Sequence, residues 1–182
     1  GDVYKRQGNN FDDALKASKI FCKERKISFI HPFDDPLVIA GQGTVGMEIA
    51  IQFPEKLYAI FVAVGGGGLI AGIGSYLKAK LPNVKIIGVE AEDSAGLNAS
   101  MKAGKRIKLK EVGLFADGAA AKQIGKHNYA LITEILDDSI TVNTDEICAA
   151  VKDTFIETRT VPEPTGAPVS YTHLRAHETK TD

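Results

Sequence analysis

The stretch "AIFVAVGGGGLIAGI", Ala59–Ile73, decides how this chain is read. Ala59 to Val64 form an unbroken apolar run, the pattern of a strand buried on both faces. Leu69, Ile70, Ile73, Leu77 and Leu81 then recur at helical spacing. Between them stand Gly65, Gly66, Gly67 and Gly68. Without Cβ atoms the backbone there can close tightly around an anion and reach positive φ where a turn demands it. A strand, a bare turn and a helix N-terminus in succession gather N–H groups and the positive end of a helix dipole at one point. Gly65, Gly66, Gly67, Gly68 and Leu69 are therefore the candidate phosphate-binding residues.

Three ligand states fit that turn. Gly66, Gly68 and Ala71 satisfy the spacing G-x-G-x-x-G/A, and Glu90 closes the next apolar run (Val84–Val89), as a dinucleotide site of a nicotinamide-dependent dehydrogenase would require. A single phosphate, such as that of pyridoxal phosphate, needs only the N–H groups. A glycine-rich strand-to-helix turn with no ligand is the third. A P-loop is excluded, because no Gly-Lys-Ser/Thr follows the glycines. Spacing alone does not separate a dinucleotide from a single phosphate.

Outward from the loop, helix and strand alternate. Phe11, Ala14, Leu15, Ser18, Phe21 and Cys22 mark a first helix, and Ile27–Ile30 reads as a short strand. Pro36 opens a second helical stretch, predicted to break at Gly41 and Gly43 and to resume through Met47, Ile49 and Ile51. The run before the glycines, the helix after them and the run ending at Glu90 predict a βαβ unit in an α/β fold with a parallel sheet flanked by helices. Ser139–Val142 is strand-like, and Asn143 with Glu146 three residues on predicts a capped helix carrying Ile147, Val151 and Phe155.

The 182 residues carry 22 basic and 23 acidic side chains, a net charge of −1. No basic patch interleaves with aromatics, so nucleic acid is not an expected partner. No apolar run approaches the roughly 20 residues that span a bilayer, and no signal peptide is evident. Cys22 and Cys148 fall on apolar helix faces and read as buried thiols, which suits a reducing cytoplasm. Asp34 and Asp35 look like a paired-carboxylate site, but Asp35 before Pro36 is better read as a helix N-cap. His31, before Pro32, reads as a hydrogen-bonded turn residue.

Several longer segments carry a resemblance. "HPFDDPLVIAGQGT" (His31–Thr44), "FVAVGGGGLIAGI" (Phe61–Ile73), "IGVEAEDSA" (Ile87–Ala95), "VGLFADGAAAKQIG" (Val112–Gly125) and "EPTGA" (Glu163–Ala167) are, in this order, similar to the biosynthetic threonine dehydratases. These are lyases of the fold-type-II pyridoxal-phosphate family, with tryptophan-synthase-β-like architecture. The likeness runs over about residues 8 to 167.

The resemblance implies a pyridoxal 5'-phosphate cofactor whose phosphate sits on Gly65–Gly68 and Leu69, with Gly118 and Glu163 close to its ring. It implies loss of water from L-threonine to give 2-oxobutanoate and ammonia, a step of isoleucine biosynthesis. A small amino acid is then the partner, and the enzyme is expected to form a homo-oligomer. Serine dehydratases and racemases of the same family, and a ligand-binding relative without catalysis, are the alternatives. The family's Schiff-base lysine matches no residue of this chain, so no catalytic residue is assigned and the chain alone is expected to be inactive. The cation site of the serine racemases starts at the position of Glu90 but lacks its later ligands here, so no metal is expected.

Residues 8–43 correspond to part of the family's small domain and 44–167 to its large cofactor-binding domain. Residues 1–7 ("GDVYKRQ") and 168–182 ("PVSYTHLRAHETKTD") depart from the family abruptly. They resemble translated adapter sequence and are expected to be non-native tails.

Overall fold

The computed structural model describes residues 11–54 and 57–170. The first helix, α1 (Phe11–Arg25), carries Asp12 and Asp13 in its first turn and Lys23 and Arg25 in its last, each complementing the helix dipole. The chain then runs extended through Ile27–Ile30 without forming a strand. A strand exists only by pairing its backbone groups, and no described segment pairs with this one. Ile27 and Ile30 are accordingly 53% and 67% exposed.

Asp35 starts α2 (Pro36–Gln52) as the sequence predicts, its carboxylate accepting the N–H groups of Leu37 at 2.9 Å and Val38 at 3.4 Å. The predicted break at Gly41 and Gly43 does not occur, and the chain crosses residues 43 and 44 inside this one helix. The reason is packing. A Cβ on Gly46 would stand 2.9 Å from the Ile73 carbonyl oxygen, and one on Gly72 would run into that of Ile39. The glycines let α2 lie directly on α3 (Gly68–Lys80), where close backbone approach outweighs their weak helix propensity.

Three parallel strands, β1 (Ala59–Ala63), β2 (Lys85–Ala91) and β3 (Asp138–Val142), form a sheet in the order β1-β2-β3. Phe61 pairs with Ile87, and Val89 with Ile140. The β1–α3–β2 unit predicted around the glycines is present. The second crossover carries α4 (Gly96–Ala103), an irregular stretch with a 3₁₀ turn at Asp117–Ala119, and α5 (Lys126–Ile135). α6 (Thr144–Thr158) follows β3, opened by a reciprocal capping box in which Asn143 and Glu146 each accept the other's backbone N–H.

Alternation along β2 divides the interior. Ile86 points into a core with Ile70, Leu77, Leu97 and Ile132, while Val89 and Ala91 point into a second with Val142, Ile147, Ala150 and Ala167. Because α6 turns Ile147 and Ala150 inward, Cys148 faces out. It is an exposed free thiol rather than the expected buried one, and Cys22 is half-buried. Of the ends read as tails, 1–7 and 171–182 lie outside the described residues. Pro168–Ser170 is helical, and Pro168 is buried.

Candidate phosphate-binding site

Val64 extends β1 by one bond, its N–H reaching the Val89 carbonyl at 2.9 Å, and the glycines follow. Gly67 is the N-cap of α3, with φ +89° and ψ 0°. That left-handed conformation is one glycine reaches without a Cβ clash, so the turn needs glycine here. No side chain caps α3. The first bond of the helix runs from Ala71 N–H to Gly67 O at 3.0 Å. Among the described residues, the N–H groups of Gly65, Gly66, Gly67, Gly68 and Leu69 have no acceptor. Five free donors at the positive end of a helix are the kind of donor set that binds an anion such as phosphate.

The Gly66 carbonyl is held from two sides. Gly66 O accepts the Gly125 N–H at 3.0 Å and the Asn128 Nδ2 at 2.9 Å. The Phe33 ring occupies the place a Gly66 Cβ would take, and it also lines a cavity of 480 Å³ with His31, Arg106 and Lys122. A Cβ on Gly65 would stand 2.9 Å from Ala119 Cα, which seats the 117–119 turn against the loop. On that turn, a Cβ on Gly118 would stand 2.7 Å from Thr165 Oγ1 of the EPTGA segment. Three segments from distant parts of the sequence therefore meet through Gly65–Ala119 and Gly118–Thr165. Thr165 Oγ1 is buried with no hydrogen-bond partner. Glu163 closes the EPTGA turn, its carbonyl accepting the N–H groups of Gly166 at 3.0 Å and Ala167 at 3.1 Å, and the residue is exposed.

Three polar residues nearby acquire roles from tertiary contacts. Glu90 is 1% exposed, and its carboxylate accepts Leu97 N–H at 2.7 Å and Asn98 N–H at 2.8 Å, at the start of α4. Burial raises its pKa to about 7, against the lowering effect of those two bonds. Tied down in this way, Glu90 is not free to meet a ribose hydroxyl, which a nicotinamide dinucleotide needs. His31 Nδ1 accepts the Asp34 N–H at 3.1 Å, the turn role its sequence position suggests. Burial, partly offset by Asp34, keeps its pKa below the usual 6.5.

Asp34 was legible only as half of an acidic pair. Its carboxylate caps α5, accepting the N–H groups of Lys126 at 2.7 Å, His127 at 2.9 Å and Asn128 at 3.2 Å. No local signal predicts a cap whose helix starts 92 residues later. Asn128 itself, fully buried between this cap and the glycine loop, carried no sequence signal at all.

The family described as "Pyridoxal-phosphate dependent enzyme" matches residues 2–179, a span that reaches into both end stretches. The chain belongs to that family. It is 52% identical over 160 residues to the biosynthetic L-threonine dehydratase of Burkholderia multivorans, covering 88% of this chain and 32% of the relative. It is 55% identical over 161 residues to the mitochondrial threonine dehydratase of Schizosaccharomyces pombe, covering 88% and 27%. The processed form of threonine deaminase isoform 2 from Solanum lycopersicum superposes with a TM-score of 0.89 at 39% identity, covering 96% of this chain and 51% of that one. The chain thus spans between about a quarter and a third of the length of these curated relatives. Its α/β architecture is that of the fold-type-II pyridoxal-phosphate enzymes.

The donor set fits the family's cofactor. Five unsatisfied N–H groups suit a phosphate dianion, and the orphaned Thr165 hydroxyl offers one more polar contact beside the 117–119 turn.

Proposed function

We propose that this chain serves the deamination of L-threonine to 2-oxobutanoate and ammonia, a step of isoleucine biosynthesis, with pyridoxal phosphate as cofactor. The observation that carries this is the set of five free backbone N–H groups on Gly65–Leu69, within a fold about half identical in sequence to threonine dehydratases. In this assignment Gly65, Gly66, Gly67, Gly68 and Leu69 hold the cofactor phosphate. Gly118 keeps the backbone close to the ring, Thr165 adds a hydroxyl, and exposed Glu163 acts on the ring through its charge. When bound, pyridoxal phosphate supplies the electron sink that weakens the Cα–H bond of an amino acid.

What the chain itself contributes is anchoring. Neutral backbone dipoles fixed in advance bind a dianion without reorganising, and a ligand held by its phosphate presents its ring in one orientation. We assign residues 8–43 to the small domain of the fold and 44–167 to the large cofactor domain, in a cytoplasmic homo-oligomer.

Equilibrium dialysis tests the ligand. Pyridoxal phosphate should bind saturably and be displaced by inorganic phosphate, while NAD is not retained. Tight NAD binding without pyridoxal phosphate binding would overturn the assignment. In the full-length protein that carries this sequence, 2-oxo acid should form faster from threonine than from serine, and the reverse preference would favour a serine dehydratase.

A further inference from the structure

Asn128 is wholly buried in the first turn of α5, and its side-chain amide joins two segments far from it in sequence. Nδ2 donates to the Phe33 carbonyl at 2.8 Å and to the Gly66 carbonyl at 2.9 Å. An amide nitrogen carries two hydrogens, so both are used. Reversing the amide would set Oδ1 against two carbonyl oxygens, which fixes its orientation although Oδ1 is left buried without a partner. The position therefore demands a double donor. Gly66 O also accepts the Gly125 N–H at 3.0 Å, so two donors hold that carbonyl toward α5.

The consequence lies on the other side of the same peptide. A trans peptide is planar, and its N–H points opposite to its C=O. Holding the Gly66 carbonyl against α5 turns the Gly67 N–H away from α5, among the other free donors of the loop. The Asp34 carboxylate secures the support from behind, since its three bonds fix the turn of α5 that carries Asn128.

We propose that Asn128 is a positioning residue of the phosphate seat: through the Gly66 peptide plane it aims the loop's N–H groups at the bound phosphate. The proposal rests on the assignment of Gly65–Leu69 as that seat. Asn128 touches no ligand itself. A residue of equal size that cannot donate, such as leucine, would leave the Phe33 carbonyl unpaired and the Gly66 peptide held by Gly125 alone.

The test follows the backbone amide resonances of Gly65–Leu69 in the full 182-residue chain by NMR while inorganic phosphate, and separately pyridoxal phosphate, is added. In the wild type these amides should shift saturably with both. Asn128→Leu should weaken both affinities at least tenfold, and Asn128→Thr, which keeps one donor, at least threefold. Thr133→Ala, further along the same helix and bonded only to the Ala130 carbonyl, should match the wild type. A merely structural asparagine would lower the melting temperature and leave the affinity of the folded protein unchanged. A folded Asn128→Leu that binds phosphate within twofold of wild type therefore overturns the proposal. If that variant does not fold, Asn128→Thr decides it by the same twofold limit. Should the wild-type loop amides not respond to phosphate at all, the seat itself is refuted and the proposal falls with it.

Discussion

Replacing Gly67 by alanine separates two physical costs that the loop imposes together. The residue sits at φ +89°, and a Cβ there would stand 2.9 Å from Ile132 Cδ1 and 3.2 Å from both Asn128 Cβ and Ile124 Cγ2. The left-handed backbone disfavours an L side chain by roughly 1–2 kcal/mol. Forcing a methyl into that packed space adds about 1–3 kcal/mol. The loss of glycine's freedom in the unfolded chain returns about 0.4–1 kcal/mol. Gly67→Ala should therefore destabilise by on the order of 1–5 kcal/mol.

Gly104 supplies the control. It caps α4 at φ +64° with nothing within 4 Å of a built Cβ, so alanine there meets only the backbone term, roughly 1–2 kcal/mol before the same offset. Urea unfolding measures both. With a slope of about 1–3 kcal/mol per molar, a 3 kcal/mol loss moves the midpoint down by about 1–3 M. A Gly67→Ala midpoint no lower than that of Gly104→Ala would show that the space around Gly67 is not the tight one described, and the rigid loop it supports would be in doubt. Gly67→Ala should also lower phosphate affinity, because the φ it disfavours is the one that seats the loop on α3.

Two further predictions concern pH. Glu90 has its pKa raised from 4.5 to about 7 by burial, so the folded state binds the proton more tightly than the unfolded one. Its contribution is full below pH 4.5 and is lost as pH rises to about 7; unfolding measured at both ends should show up to about 3 kcal/mol of this decline, and Glu90→Gln should flatten it. Asp137 behaves oppositely: Lys78 at 2.7 Å foremost, then the Ile86 N–H at 2.8 Å and Lys85 at 3.1 Å, hold its pKa down at about 2. Its contribution is present above pH 3.8 and lost as pH falls toward 2. Because solvent screens these pairs, Asp137→Asn should destabilise by only roughly 1 kcal/mol at pH 7, measured by thermal unfolding, and by clearly less at pH 2.

Features whose partners lie within a few residues were legible in the sequence alone. The apolar run, the four glycines and the helical spacing after them predict β1, the loop and α3, because each is governed by neighbours in the chain. The same holds for Asp35 before Pro36 and for Asn143 with Glu146, where cap and capped N–H groups are two or three positions apart. Tertiary structure decided the rest. α2 runs on through both Gly41 and Gly43, with Gly43 packed on Gly72 of α3 where a Cβ would stand 3.4 Å from the Gly72 carbonyl oxygen, and Ile27–Ile30 is no strand because no described segment pairs with it. Cys148 faces solvent because Ile147 and Ala150 claim the inner side of α6. Asp34 and Asn128 are short polar side chains whose partners stand 92 and 62 positions away, at α5 and at Gly66 respectively. Distances of that kind are set by how the crossovers fold back on the sheet, and local sequence carries no trace of them.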